Sequence, residues 1–254
     1  MLLTIIPSLK AGLITVVVFI ILFFFRDVSF NWNLDSAGCV KDGFCHCEVI
    51  NSSMILAEPI NVYSSLFYLF SGLLVFFRSK TDGFRGEGRL FLFGSIVICF
   101  GSIMFHASIS RLGLTFDFLG ITTLMSIFYL SRRLLAGVKV LDIVMTAFFN
   151  IVILLATYFY TEINIFFLPQ ILTAIFGLVI IQGEVKYFNI QKIDKSLYKI
   201  VAAYVLAYGA WWLGNSKYIC DRSSLFIHYH SLWHLGGAIA LYYLYIYLRN
   251  TTRN

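Results

Sequence analysis

Uninterrupted runs of apolar residues alternate with short polar segments along the whole chain. Eight of these runs have about the 17–25 residues with which a helix crosses the hydrocarbon layer of a membrane. They cover residues 3–25, 56–77, 90–106, 114–130, 140–160, 163–183, 198–214 and 227–248. The runs are continuously apolar, whereas strands of a membrane β-barrel alternate apolar and polar positions. The pattern therefore predicts an all-α membrane protein.

The composition supports this interpretation and changes the meaning of the net charge. Of the 254 residues, 59% are hydrophobic and only 13% are charged, whereas about a quarter of the residues of a soluble domain are charged. The net charge of +6 therefore indicates membrane orientation first, and we expect no nucleic-acid partner.

The first apolar run resembles the core of a signal peptide but lacks a cleavage site of the A-x-A type. The sequence Phe23-Phe24-Phe25-Arg26 follows it instead. We therefore predict that residues 1–26 form a retained transmembrane anchor.

The basic residues are distributed unequally between the two sets of connections. Fourteen of the nineteen lie in alternate connections on one side of the predicted spans: Lys10, Arg78, Lys80, Arg85, Arg89, Arg132, Arg133, Lys139, Lys186, Lys192, Lys195, Lys199, Arg249 and Arg253. The positive-inside rule assigns this side, together with both termini, to the cytoplasm.

The predicted topology places the residues that carry chemistry on the opposite, non-cytoplasmic side. They lie in the outer loops or at the outer ends of spans: His46, His106, His228, His230, His234, Ser102, Asp117, Glu48, Glu58, Cys39, Cys45, Cys47 and Cys220. Residues far apart in sequence are thus predicted at one depth, as a single site requires.

Four outer cysteines allow two interpretations. Disulfides persist on the non-cytoplasmic side, and four cysteines allow three connectivities. The alternative is a Cys/His metal site at Cys45-His46-Cys47, but its C-x-C spacing differs from the usual spacing of zinc ligands. We favour disulfides, and the spacing leaves their connectivity open.

Three histidines in or beside apolar runs suggest a metal site. In helices, Ser102 and His106 share a face, as do His230 and His234, because each pair is four residues apart. Catalytic zinc sites keep three protein ligands and a water, whose pKa the metal lowers to about 7. His106, His230 and His234 are therefore candidate zinc ligands. A histidine that bonds a backbone carbonyl is the alternative for each of them.

Asp117 and Ser102 are the candidate catalytic residues beside this site. A charged side chain within a span is unfavourable by about 2.5–3.5 kcal/mol, so Asp117 calls for an explanation. It could act as a base beside the metal-bound water, or it could pair with Arg111 or Arg222. Ser102 could donate to an oxyanion, or it could be a small residue at a helix interface.

Glu58 precedes Pro59 at the start of the second predicted span. Proline suits the first turn of a helix, and an acidic residue there is favoured by the helix dipole. This capping role would explain Glu58 without any ligand.

These motifs resemble the alkaline ceramidase, adiponectin-receptor and Per1-like superfamily of seven-helix hydrolases. Ser102-x-x-x-His106, Asp117 eleven residues later and His230-x-x-x-His234 match its three-part signature. Cys47-Glu48, the segment 57–61 with Glu58, Phe105-His106-Ala107-Ser108 and Leu232-Trp233-His234-Leu235 resemble the ceramidase branch, especially its bacterial-type members. The similarity covers about residues 45–250, so the first helix would be an addition to the seven-helix core.

The resemblance implies a zinc-dependent hydrolase that cleaves the amide of ceramide, a membrane lipid, into a fatty acid and a sphingoid base. It implies zinc on His106, His230 and His234, with Asp117 and Ser102 near the metal water, and a disulfide between Cys47 and Cys220. The domains would be an anchor (1–26), an extracytoplasmic cysteine-containing loop (27–55) and a hydrolase domain (56–254). Animal members also bind calcium in this loop. Its candidate ligands here are Glu48, Asn51 and Glu58, although the first aspartate of the calcium motif is missing.

Three other functions remain to be compared. A superfamily member could be a non-catalytic receptor with structural zinc, or a Per1-like protein acting on lipid-anchored proteins. A transporter would use His and Asp as a proton relay, but its site is expected near the midplane, between related halves. Here the cluster lies at one end of the spans, and the sequence shows no internal repeat.

Overall fold

The computed structural model describes residues 2–32, 34–37, 48–137, 139–160, 168–187, 194–214 and 228–252. In these ranges the backbone forms eight α-helices and no β-strand: α1 (Leu2–Phe24), α2 (Pro59–Asp82), α3 (Arg85–Ser108), α4 (Arg111–Ala136), α5 (Val140–Tyr160), α6 (Leu168–Tyr187), α7 (Lys195–Gly214) and α8 (Tyr229–Thr252). Each helix overlaps one predicted apolar run. The all-α prediction is confirmed for the described part of the chain.

Local sequence explains where the helices begin and end. Glycine adopts a left-handed conformation without a Cβ clash, and α2 ends at Gly83, whose φ is 83°. The Ser110 side chain caps α4 by accepting a hydrogen bond from the backbone N–H of Gly113 at 3.0 Å. These polar ends extend the helices by several residues beyond the apolar runs.

The bundle is arranged around α3, which packs between α2 and α4. On the other side of α2 lie α1 and α8, and α7 covers α8; α5 and α6 extend the bundle from α4. Small residues allow the closest approach. A Cβ at Gly101 would collide with the carbonyl of Phe116, and a Cβ at Gly120 would collide with the backbone of Ile98.

Within the described residues, five helical segments are long and apolar enough to cross a membrane: Ile5–Phe24, Pro59–Asp82, Arg85–Ser108, Arg111–Arg133 and Val140–Phe159. A shorter apolar segment, Leu168–Gly183, follows them. The remaining helices, α7 and α8, are rich in tyrosine, tryptophan and histidine, whose polar atoms lower their mean hydropathy. The chain is therefore a multi-pass membrane protein.

One end of the bundle carries a network of ion pairs. Arg249 of α8 donates to Asp82 of α2 at 2.8 Å, and Arg78 lies 3.5 Å from the same carboxylate. Arg133 of α4 pairs with Asp142 of α5 at 2.9 Å. We call this the basic end and define it by Arg78, Arg132, Arg133 and Arg249. The histidines lie at the opposite ends of α3 and α8.

Candidate metal centre and active site

Three buried imidazoles meet where α3 ends and α8 begins. His106 is in the last turn of α3, and His230 and His234 lie on one face of the first turns of α8. Their ring centroids are 4.7 to 5.2 Å apart. One nitrogen of each ring lies within 4.8 Å of the other two. The structure thus brings the three predicted zinc ligands together.

The donor set fits a zinc ion. Nitrogens bound tetrahedrally at about 2.0–2.1 Å from zinc are about 3.3 Å from one another. The Nε2 atoms of His106 and His230 are 3.1 Å apart. Because all three side chains are at least 96% buried, a metal held here would be shielded from bulk water.

Glu58 orients His106 from behind. Its carboxylate Oε2 accepts a hydrogen bond from His106 Nδ1 at 2.6 Å and another from the Asn61 side chain at 3.0 Å. The Glu58 backbone N–H also donates to the His106 carbonyl at 2.9 Å. With Nδ1 engaged, Nε2 of His106 faces the other imidazoles, as expected of a metal-ligating histidine with a carboxylate partner.

Ser64 contacts the Nδ1 atom of His234. Its hydroxyl donates to the Asn61 carbonyl at 3.0 Å and lies 2.7 Å from His234 Nδ1. Because a serine hydroxyl carries one hydrogen, a Ser64 that donates to Asn61 accepts the Nδ1 hydrogen of His234. In that tautomer the Nε2 lone pair of His234 lies on the side of the triad.

Ser102 and Asp117 lie against this triad. Ser65 donates to Ser102 at 2.8 Å, and Ser102 Oγ is 3.2 Å from Nε2 of His234. The Asp117 carboxylate interacts electrostatically with His106 and lies near the Ser102 side chain. Arg111, a candidate partner for Asp117 in the sequence, forms an ion pair with Asp35 at 3.3 Å. The structure therefore places Asp117 beside the candidate ligands.

The side chain of Glu48, and not that of Glu58, bonds the backbone N–H groups at the start of α2. Its two carboxylate oxygens accept from the backbone N–H groups of Ile60 and Asn61 at 2.7 and 2.9 Å, and the Glu58 side chain makes no capping bond. Glu58 stands at the N-cap position of α2, as predicted, but capping does not account for its carboxylate. Burial of Glu48 raises the pKa of its carboxyl to about 7, although the backbone bonds oppose this shift.

The other predicted site residues are not all at the triad. Asn51 is exposed, and its side chain accepts a bond from Ser53 at 2.8 Å. Its role in calcium binding, like that of Glu48 and Glu58, stays a prediction. The residues of the predicted disulfide, Cys47 and Cys220, lie outside the described residues, as do Cys39, Cys45, His46 and Arg222. Cys99 is described, and it is buried with a free thiol.

Comparison with protein-family models identifies the chain. The model of the ceramidase family matches residues 43–253, which include the triad, Asp117 and Glu58. The chain belongs to the ceramidase family. It is accordingly a hydrolase of the amide bond of ceramide. A search among individual proteins of curated function finds no match.

The polar face of α2 was not predicted from the sequence. Asn61, Ser64 and Ser65 lie one and two turns after Glu58, on an otherwise apolar helix, and all three are buried. Polar residues at helical spacing behind a glutamate were the available signal. That signal predicts a face turned toward a polar site, but it does not identify which histidine each residue contacts.

Proposed function

We propose that this family member is a zinc-dependent intramembrane hydrolase, which cleaves ceramide-type lipids to a fatty acid and a sphingoid base. The observation that carries the proposal is the convergence of three buried imidazoles, two of which are fixed at Nδ1 by Glu58 and Ser64. This arrangement presents nitrogen lone pairs to one point, which suits a transition metal with imidazole ligands.

His106, His230 and His234 would hold the ion. When bound, zinc would supply a Lewis acid that polarises the amide carbonyl and makes a bound water acidic at neutral pH. Asp117 is placed to take the proton from the attacking water and to deliver it to the amine leaving group. Ser102 is placed to donate a hydrogen bond to the oxygen on which negative charge develops.

The proposed arrangement in the membrane is a seven-helix bundle (α2–α8) preceded by the additional helix α1. The basic end would face the cytoplasm with both termini, and the site would lie toward the non-cytoplasmic face. The concentration of Arg78, Arg132, Arg133 and Arg249 at the end opposite the histidines supports this orientation. Residues 1–26 would then be an anchor, 27–55 an extracytoplasmic loop and 56–254 the hydrolase domain.

The experiment measures zinc content and ceramide turnover of the purified chain in detergent or liposomes. We expect one zinc per chain, loss of turnover after treatment with a chelator and recovery on addition of zinc. Turnover that persists after complete zinc removal would reject the mechanism. Bound zinc without hydrolysis of ceramides or related lipid amides and esters would instead indicate a receptor with structural zinc.

A variant that lacks one candidate ligand tests whether a loss of turnover comes from the metal site or from a general folding defect. His106→Ala should abolish turnover and lower the bound zinc, because a ligand is removed. His228→Ala is the matched control, since His228 is a buried histidine one residue before α8 and outside the triad. Equal loss in both variants would show that the burial of a histidine matters, and not its place in the triad.

A further inference from the structure

A segment that precedes the family match runs along the site. We call residues 28–32 and 34–37 the strap. Its first half pairs with the segment before α2: Phe30 donates to the Ser53 carbonyl at 3.0 Å, and Ile55 donates to the Val28 carbonyl at 2.8 Å. The indole N–H of Trp32 donates to the Ile55 carbonyl at 3.0 Å. The strap is thereby fixed to the chain that leads into Glu58.

The second half of the strap binds the turn between α3 and α4. Ala37 donates to the Ile109 carbonyl, and Arg111 donates to the Asp35 carbonyl, each at 2.9 Å. Ala37 is completely buried, and its neighbour Ser36 forms an isolated bridge with Ser110. The Arg111 guanidinium pairs with the Asp35 carboxylate at 3.3 Å. The strap therefore bonds both residues that flank Ser110.

The turn held in this way is strained. Ile109 has φ 45° and ψ 42°, and it is the only non-glycine residue with positive φ in the described part of the chain. A β-branched residue is a clear outlier in the left-handed region, where steric strain must be offset by surrounding contacts. Ile109 lies three residues after His106 and eight before Asp117, so the direction of this turn sets their separation.

We propose that the strap positions His106 against Asp117 by holding Ile109 in its left-handed conformation, with Ala37 and Asp35 as the positioning residues. The inference rests on the proposed zinc site. Without the Ala37 bond, the last turn of α3 would relax toward unstrained dihedral angles and carry His106 away from the other two imidazoles. Apolar packing of Trp32 beside Ala107 and Leu56 also holds the strap in place.

The first test removes the N–H donor of residue 37 in the full chain. Ala37→Pro should lower kcat by about tenfold with KM changed by less than about twofold, because the strained turn is released. Zinc should also be lost to a chelator about tenfold faster, since the ligand geometry is loosened. Leu34→Pro is the matched control, because the Leu34 N–H makes no hydrogen bond within the described residues. Equal effects of the two prolines would overturn the proposal.

The second test asks whether the strap acts through Ile109. Glycine and asparagine both tolerate the left-handed conformation. In an Ile109→Gly or an Ile109→Asn background, the penalty of Ala37→Pro on kcat and zinc retention should therefore shrink from about tenfold to less than about threefold. Two replacements are used because glycine also removes a buried side chain. The same penalty in all three backgrounds would overturn the proposal.

Measurements on the unmodified chain distinguish a failure of this inference from a failure of the proposed function. If it bound no zinc, the metal site and the inference that rests on it would both fail. If it bound zinc and hydrolysed ceramide while Ala37→Pro kept wild-type kcat and zinc retention, only the inference would fail. Monodisperse elution of each variant confirms that the comparison is made between folded proteins.

Discussion

At the scale of single residues, two of the three imidazoles at the site are positioned by a polar group behind them. These groups are Glu58, directly before α2, for His106, and Ser64, in the second turn of α2, for His234. Burying such groups in an apolar bundle is tolerable only when their hydrogen bonds are made. The hydrogen bonds that satisfy these buried polar groups also orient the Nε2 atoms of the two histidines. Stability and function therefore depend on the same network.

Replacing Glu58 tests the orientation of His106. Glu58→Ala should weaken zinc binding by about 10–100-fold, the usual effect of losing a carboxylate partner of a ligating histidine. Glu58→Gln should weaken it less, because the amide oxygen can still accept the Nδ1 hydrogen. Competition with a chromophoric chelator gives the affinities. Glu87→Ala, at the start of α3 near the basic end, is the control that should leave the affinity unchanged.

Replacing Ser64 tests the tautomer of His234. Ser64→Ala removes the acceptor of the Nδ1 hydrogen, so both tautomers become accessible and the zinc affinity should fall by about tenfold. Ser71→Ala is the matched control on the same helix, because Ser71 is equally buried but donates to the Ala238 carbonyl at 2.7 Å. A drop in affinity in Ser71→Ala alone would contradict the assignment.

At the scale of elements, the contact between α3 and α4 sets the distance from Ser102 to Asp117. Gly101 precedes Ser102, and its α-carbon faces the peptide that joins Phe116 to Asp117. Small residues at membrane-helix interfaces let backbones approach closely and strengthen dispersion contacts. The glycine therefore lets the two catalytic candidates approach each other across the α3–α4 contact.

Adding a methyl group at this contact should move the two helices apart. Gly101→Ala should destabilise the fold by about 1–3 kcal/mol and abolish most ceramide turnover, because the added Cβ collides with backbone that cannot rotate away. Thermal unfolding in detergent and the turnover assay measure both effects. Gly209→Ala in α7, where a Cβ would meet nothing within 4 Å, should keep wild-type turnover. A fully active Gly101→Ala would contradict the close-packing argument.

At the scale of the whole molecule, the ion pairs and the histidines lie at opposite ends of the bundle. The basic end joins α2 to α8 through Asp82 and Arg249, and α4 to α8 through Arg132 and Thr251 at 2.8 Å. Charged side chains are most easily accommodated near the surface of a membrane. The separation of the two ends thus gives the bundle a polarity along its long axis.

This polarity predicts the topology. A fluorescent protein fused to the C-terminus should be fluorescent in cells, and an alkaline phosphatase fused there should be inactive, because the basic end is expected in the cytoplasm. A phosphatase inserted after Gly83, near the same end, should behave like the C-terminal fusion. Phosphatase activity at both positions would reverse the proposed orientation.

The sequence by itself determined the helices and singled out the residues of the candidate site. Apolar runs predict α1–α8 because a backbone in hydrocarbon must satisfy its hydrogen bonds internally, and the observed helices follow the runs. The spacing of His230 and His234, and the motif that joins Ser102, His106 and Asp117, identified residues that the structure brings together. The predicted disulfide, the calcium site and the bacterial-type branch stay predictions.

Only the tertiary structure decided which polar groups form hydrogen bonds with these residues. The sequence assigned Glu58 to a helix end, where it is found, but the Glu48 carboxylate bonds that end and the Glu58 carboxylate turns toward His106. It also left the strap without a role, although Ala37 bonds the turn at Ile109. Helical periodicity is local and can be read from neighbouring residues. The choice among several hydrogen-bond partners is settled only when distant segments are packed together.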